Sequence, residues 1–144
     1  MSNIYQCLEC GKTISEGVHI FSTKVHGFPL CLKHQCWIVE SNASLEAKAV
    51  YFALRYNSLP VVLEYSDGKF IKDVAIPGKL FIEVDSREQQ VSEEAFTNLF
   101  LDFYSWKEQI PTFKMPKATV NNPDQFRHTV NRLVQICAEF KKAG

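Results

Sequence analysis

The stretch IKDVAIPGKLFIEVD, residues 71–85, is two short apolar runs joined by Pro77-Gly78, and it sets Asp73, Glu83 and Asp85 among Ile, Val, Leu and Phe. β-Branched and aromatic residues on either side of such a dipeptide predict two antiparallel strands around a tight turn. Alternate residues of a strand share a face, which puts Leu80, Ile82 and Val84 on one side and Phe81, Glu83 and Asp85 on the other. The turn brings Asp73 alongside this second strand. Like charges held close in partly apolar surroundings repel and raise each other's pKa, so a cluster of this kind is costly unless a cation occupies it. A hard divalent ion such as Mg²⁺ suits the place, since it takes oxygen ligands and commonly uses one or two carboxylates. The competing expectation is that these acids end strands and meet solvent or basic partners, as most Asp and Glu do.

Working outward, residues 59–85 add a preceding β-type run before Asp67-Gly68, which makes a meander of three strands. Upstream, SLEAKAVYFALRY (44–56) predicts a helix capped by Ser44, with Leu45, Ala49, Phe52, Ala53 and Tyr56 recurring along one face. Glu46 falls on or near the side expected to pack on the sheet. Downstream, Phe96, Leu99, Phe100, Phe103 and Trp106 recur at helical spacing within 91–109, and IPTFKM (110–115) reads as a fourth strand. A last helix opens with Asn122 as cap and Pro123 in the first turn, and carries Phe126, Val130, Leu133, Cys137 and Phe140 on one face. The order helix, three strands, helix, strand, helix predicts an α/β domain around a mixed sheet.

At 144 residues the chain has the length of one domain with a small appendage. Sixteen basic residues balance sixteen acidic ones, which removes the simplest argument for nucleic acid, a strongly basic chain, without excluding it. No apolar run approaches a membrane span, and MSNIYQCLEC has neither the basic flank nor the apolar core of a signal peptide, so the expected location is cytoplasmic.

Four of the five cysteines fall within residues 7–36, and ESNAS (40–44) is the plausible joint between a first module, 1–40, and a second, 41–144. Cys7 and Cys10 are separated by two residues, as are Cys31 and His34, and twenty residues lie between Cys10 and Cys31. Paired spacing of this sort suits a tetrahedral zinc site, because each pair can approach the metal from one tight turn. Cys7, Cys10, Cys31 and His34 are the expected ligands, with Cys36 able to replace His34. Four protein ligands leave no open position, so the zinc is read as structural. A disulfide is the alternative, and the expected compartment disfavours it. The arrangement resembles a treble-clef finger, with a knuckle at the first pair and a helix start at the second.

Glu46 on a helix, Asp73 on a strand and EVD (83–85) on the next strand together resemble the PD-(D/E)XK, or restriction-endonuclease-like, superfamily. More narrowly, SLEAKAVYFALR, KDVAIPGKLFIEVDS and ATVNNPDQF are similar to its very-short-patch-repair-like branch. The resemblance covers about residues 44–140. It implies a restriction-endonuclease-like four-stranded mixed sheet flanked by helices, and Mg²⁺- or Mn²⁺-dependent cleavage of DNA. Asp73 and Glu83 would be the main magnesium ligands, with Asp85 and Glu46 completing the catalytic set. The lysine of the superfamily's name is replaced by Asp85, and Gln89 stands where closer relatives often carry His. Lys72 adjoins Asp73 and is expected to face away by strand period, while Lys69 and Lys79 are four residues from Asp73 and Glu83, roughly 13 Å along a strand. Arg87 and Gln89 are the expected substitutes, with Gln90 behind them. A nuclease making double-strand breaks usually needs two active sites, which allows a homodimer. The alternative is a decayed nuclease-fold module that binds nucleic acid or a protein partner. DNA and RNA are not distinguished by these residues.

Overall fold

The computed structural model describes residues 4–66, 68–104 and 110–143, with the side chains of 103–104 and 140–143 not described. Asp67 of the first predicted turn and Trp106 lie outside the described residues, as do the side chains of Phe103 and Phe140. The chain forms two compact units, Met1–Leu45 and Glu46–Gly144.

In the N-terminal unit, β1 (Tyr5–Gln6) and β2 (Thr13–Ile14) pair antiparallel around the first cysteine pair. Two helices follow, α1 (Glu16–His26) and α2 (Leu32–Glu40). The stretch between Cys10 and Cys31, for which the sequence pattern predicts no element, thus carries a helix. Ser15 caps the helix by accepting from the Val18 N–H at 3.1 Å, and Gly27 closes it in the left-handed conformation. Ser22, fully buried, donates to Phe28 O at 2.6 Å and accepts from the Leu30 N–H at 2.9 Å, fixing the return of the chain toward Cys31.

The C-terminal unit is α/β. Helix α3 (Leu45–Tyr56) leads into β3 (Val62–Ser66), β4 (Ile71–Ile76) and β5 (Leu80–Asp85). Helix α4 (Glu93–Tyr104), β6 (Thr112–Pro116), the short α5 (Lys117–Val120) and α6 (Pro123–Ala143) complete it. The four-stranded sheet has the order β3-β4-β5-β6, antiparallel through β5 and parallel between β5 and β6. Gly78, at φ +79°, shapes the β4–β5 turn, in which the Lys79 N–H bonds to Ile76 O at 2.9 Å. Val74, Ile76, Leu80, Ile82, Phe113 and Met115 supply the buried side of the sheet. Phe96 of α4 stacks on Phe113 with centroids 5.6 Å apart, and Val130, Leu133 and Cys137 of α6 are buried as their spacing predicts. Asn122 caps α6, accepting from the Gln125 N–H at 3.2 Å. In α3 the buried face is Ala47, Val50, Tyr51 and Leu54, not the expected stripe, of which Phe52 alone is buried while Leu45 and Tyr56 are exposed.

Between β3 and β4 the register runs Val62–Ala75, Leu63–Val74, Tyr65–Lys72 and Ser66–Ile71, passing over Glu64 and Asp73. Glu64 has φ +56°, a left-handed conformation that non-glycine residues seldom adopt. This break shifts the side-chain alternation by one residue. Tyr65 and Lys72 therefore join the face of Phe81, the Tyr65 ring lying 5.9 Å from it. Among the described residues no helix is long and apolar enough to cross a membrane.

Candidate metal centre and carboxylate face

The N-terminal unit brings Cys7, Cys10, Cys31 and His34 together, with one ligand atom from each lying within 4.8 Å of the others. Cys7 and Cys10 are held by the β1–β2 knuckle, where the Cys7 N–H donates to Lys12 O and the Gly11 N–H returns to Cys7 O, with Gly11 at φ +74°. Cys31 is the N-cap of α2, and the Gln35 side chain, which donates to Leu30 O at 2.9 Å, holds the approach. His34 lies in the first turn of that helix. The separations are Cys10 Sγ to Cys31 Sγ 3.9 Å, Cys7 Sγ to His34 Nδ1 3.6 Å and Cys31 Sγ to His34 Nδ1 3.2 Å. A tetrahedral zinc with bonds of about 2.3 Å to sulfur and 2.05 Å to nitrogen requires edges of about 3.8 Å and 3.6 Å. Two of the three separations match, and all the cysteines are free thiols.

Burial pushes the Cys7 thiol up, but backbone hydrogen bonds at Cys31, Cys10 and Glu9 outweigh it and leave Cys7 below its ordinary pKa. At Cys10 a backbone bond at Lys12 lowers the pKa, yet desolvation and the neighbouring Cys7 and Cys31 sulfurs carry it above its ordinary value. Crowded sulfurs of this kind are relieved by a cation. The cluster can hold a metal such as zinc. Cys36 is exposed and outside it, so the open choice of fourth ligand falls to His34.

In the C-terminal unit the β4–β5 ladder ends at Val74–Ile82, and Asp73, the next residue of β4, meets β5 through its side chain. Asp73 Oδ2 accepts the Val84 N–H at 2.9 Å, filling the place of a ladder carbonyl, and its other oxygen has no hydrogen-bond partner among the described residues. Glu83 Oε1 lies 3.3 Å from Lys72 Nζ. Sequence reasoning turns Lys72 away, and the break at Glu64 and Asp73 explains why it faces Glu83 instead. The Lys72 side chain is only 16% exposed, and its ammonium lies 5.5 Å from the Phe81 ring and 5.8 Å from that of Phe70. Aromatic faces attract a cation at this range. On the other side of β5, Lys114 of β6 is the register partner of Glu83.

Asp85 ends β5 and binds Arg87 twice, accepting its N–H at 3.1 Å and its Nε at 2.8 Å. Arg87 thus follows the strand end rather than Glu83, and its Nη2 reaches Lys114 O at 3.4 Å. Gln89 is exposed, while Gln90 turns to α5, accepting from Thr119 Oγ1 at 2.9 Å. Glu46 Oε1 lies 3.9 Å from Lys117 Nζ, next to the Pro116 that pairs with Asp85. The four expected acids therefore share one region of the unit, but no three of them gather at metal-binding distance. Lys72, Lys114 and Lys117 are the residues sequence reasoning missed. Lys114 follows from strand alternation only once the parallel pairing with β5 is known. Comparisons with protein-family models, curated proteins and solved structures found no match.

Proposed function

We propose that the C-terminal unit is a restriction-endonuclease-like domain that hydrolyses DNA phosphodiester bonds with Mg²⁺ or Mn²⁺, and that the N-terminal unit is a treble-clef-like module held by zinc. The carrying observation is the Lys72 ammonium 3.3 Å from Glu83, with the neighbouring Asp73 carboxylate held on the Val84 N–H of the same strand β5. Two carboxylates and a lysine thus meet on one sheet although EVD lacks the motif's lysine. The order of helices and strands and the parallel pairing of β5 with β6 support the same fold.

Asp73, with one oxygen unengaged, and Glu83 supply the two carboxylates that Mg²⁺ commonly takes from protein. The ion, when bound, activates water and stabilises the leaving oxygen. Lys72 sets a positive charge where negative charge grows on the phosphate oxygens. Asp85 fixes Arg87, and Glu46 remains near the strand end as an auxiliary acid.

The second reading, a binding module with a decayed site, is favoured by the partners these acids already have: Lys72 on Glu83, Arg87 on Asp85 and Lys117 on Glu46. A nicking assay on supercoiled DNA separates the two. Cleavage that needs Mn²⁺ and disappears in Glu83→Ala, with zinc content unchanged, is the expected result. Cleavage that survives the substitution or needs no divalent ion contradicts the assignment, and DNA binding without cleavage leaves the module.

A further inference from the structure

We infer that the cavity between edge strand β6 and helix α4 seats a phosphate of the nucleic-acid backbone, gripped by Arg87 and Lys114. This rests on nucleic acid being the partner, and it holds for the nuclease and for the binding module alike. The cavity has a volume of about 240 Å³. That is below the roughly 300–1,000 Å³ of pockets that enclose a whole small molecule. Its size fits a phosphate with part of its sugar.

The lining residues include the cations Arg87 and Lys114, the polar side chains of Asn98 and Thr112, the buried ring of Phe113, and Asp102 as the one acid among the described residues. Asp85 pins Arg87 through two hydrogen bonds, while the Arg87 side chain as a whole stays more than half exposed. Its Nη2 bond to Lys114 O ties the Arg87 side chain to the strand that carries the second cation. Lys114 is exposed, and its ammonium has no ion-pair partner among the described residues. A guanidinium fork and a mobile ammonium on one small concavity match phosphate oxygens in both geometry and sign. Register places this pair beside Glu83 and Asp85, so a backbone seated here runs past the carboxylate face. Asp85 is then a positioning residue for Arg87.

The test measures binding of a short fluorescein-labelled DNA duplex over a range of salt, using the whole protein as purified with no added Mg²⁺ or Mn²⁺. Lys114→Ala should weaken binding roughly eightfold at 0.1 M monovalent salt and reduce the slope of log K against log salt by about one, the counterion release of one phosphate contact. The loss should be the same for unrelated sequences. Asp102→Asn should strengthen binding. Lys79→Ala removes an equal charge at the opposite end of β5 and should leave the slope unchanged. Arg87→Lys, which keeps the charge but not the fork, should weaken binding with the slope preserved. An unaltered slope in Lys114→Ala, or equal losses in Lys114→Ala and Lys79→Ala, overturns the site. Wild-type protein that binds no DNA overturns both the site and nucleic acid as partner. Failure of cleavage alone, with the Lys114 effect intact, removes the nuclease assignment and leaves this one standing.

Discussion

Replacing Cys10 by Ser is expected to release one zinc ion per chain and to unfold the N-terminal unit. Among the described residues few hold that unit by burial: Cys7, Ile14, Leu30, Cys31 and Ile38 are its buried apolar side chains. Ile20, Phe21, Val25, Leu32 and Val39 are each more than half exposed. A segment of this size rarely folds on its core alone and usually needs a metal or disulfides. Among small zinc-held peptides the apparent binding free energy is about 10–16 kcal/mol, and it is largely folding free energy. Metal analysis should find one zinc per chain in protein purified without chelator, and none in Cys10→Ser. Circular dichroism of the variant should show the loss of α1 and α2, with the melting of the C-terminal unit retained. Zinc-free wild type with an intact N-terminal unit contradicts the account.

Lys72→Met should reduce Mn²⁺-dependent cleavage by about 10²- to 10⁴-fold, the usual contribution of one positioned proton-transfer or charge-stabilising group. Methionine preserves most of the aliphatic stem packed against Phe81, so the fold should survive. A purely structural ion pair is worth at most about 1 kcal/mol at a partly exposed site, and its loss should barely change the rate. A second readout separates the cases. Removing the ammonium frees Glu83, so Mn²⁺ should stabilise Lys72→Met at a lower concentration than it stabilises the wild type. Weaker cleavage with tighter metal binding marks Lys72 as part of the reaction. Unchanged cleavage returns it to the role of a salt bridge.

The legible parts of this chain are those set by local chemistry. The Pro77-Gly78 turn, the alternation of Leu80 through Asp85, the Asn122 cap and the two paired ligand spacings are each fixed by neighbours a few residues away. The hidden parts depend on partners far along the chain. Apart from Lys48, residues 47–54 are apolar on every side, so periodicity does not choose between the face of Ala49 and Phe52 and the observed face of Ala47, Val50, Tyr51 and Leu54. Periodicity does not single out helix α1 because its exposed side also carries apolar residues, Ile20, Phe21 and Val25. Strict alternation turns Lys72 the wrong way because it fails where Glu64 and Asp73 leave the ladder, and nothing local to Glu64 announces its positive φ. The expected repulsion among the acids was likewise a statement about distant partners. Lys72, Arg87, Lys117 and the Val84 N–H now account for one acid each.

This changes what neutralising Asp73 should do. Asparagine can still accept the Val84 N–H, so metal-free Asp73→Asn should lose only the charge-assisted part of that bond, about 1 kcal/mol, instead of gaining from relief of repulsion. Melting of wild type and Asp73→Asn, with and without Mn²⁺ and with the zinc site loaded, is the most direct measurement of the proposed metal-dependent site. At an ion concentration about 100 times its dissociation constant, wild type should gain about 2.7 kcal/mol from binding to the folded state alone. For a unit of this size that corresponds to a rise of roughly 10 °C or more, and Asp73→Asn should show none of it. A wild type whose melting does not respond to Mn²⁺, or a variant that responds equally, contradicts a metal held by Asp73 and Glu83.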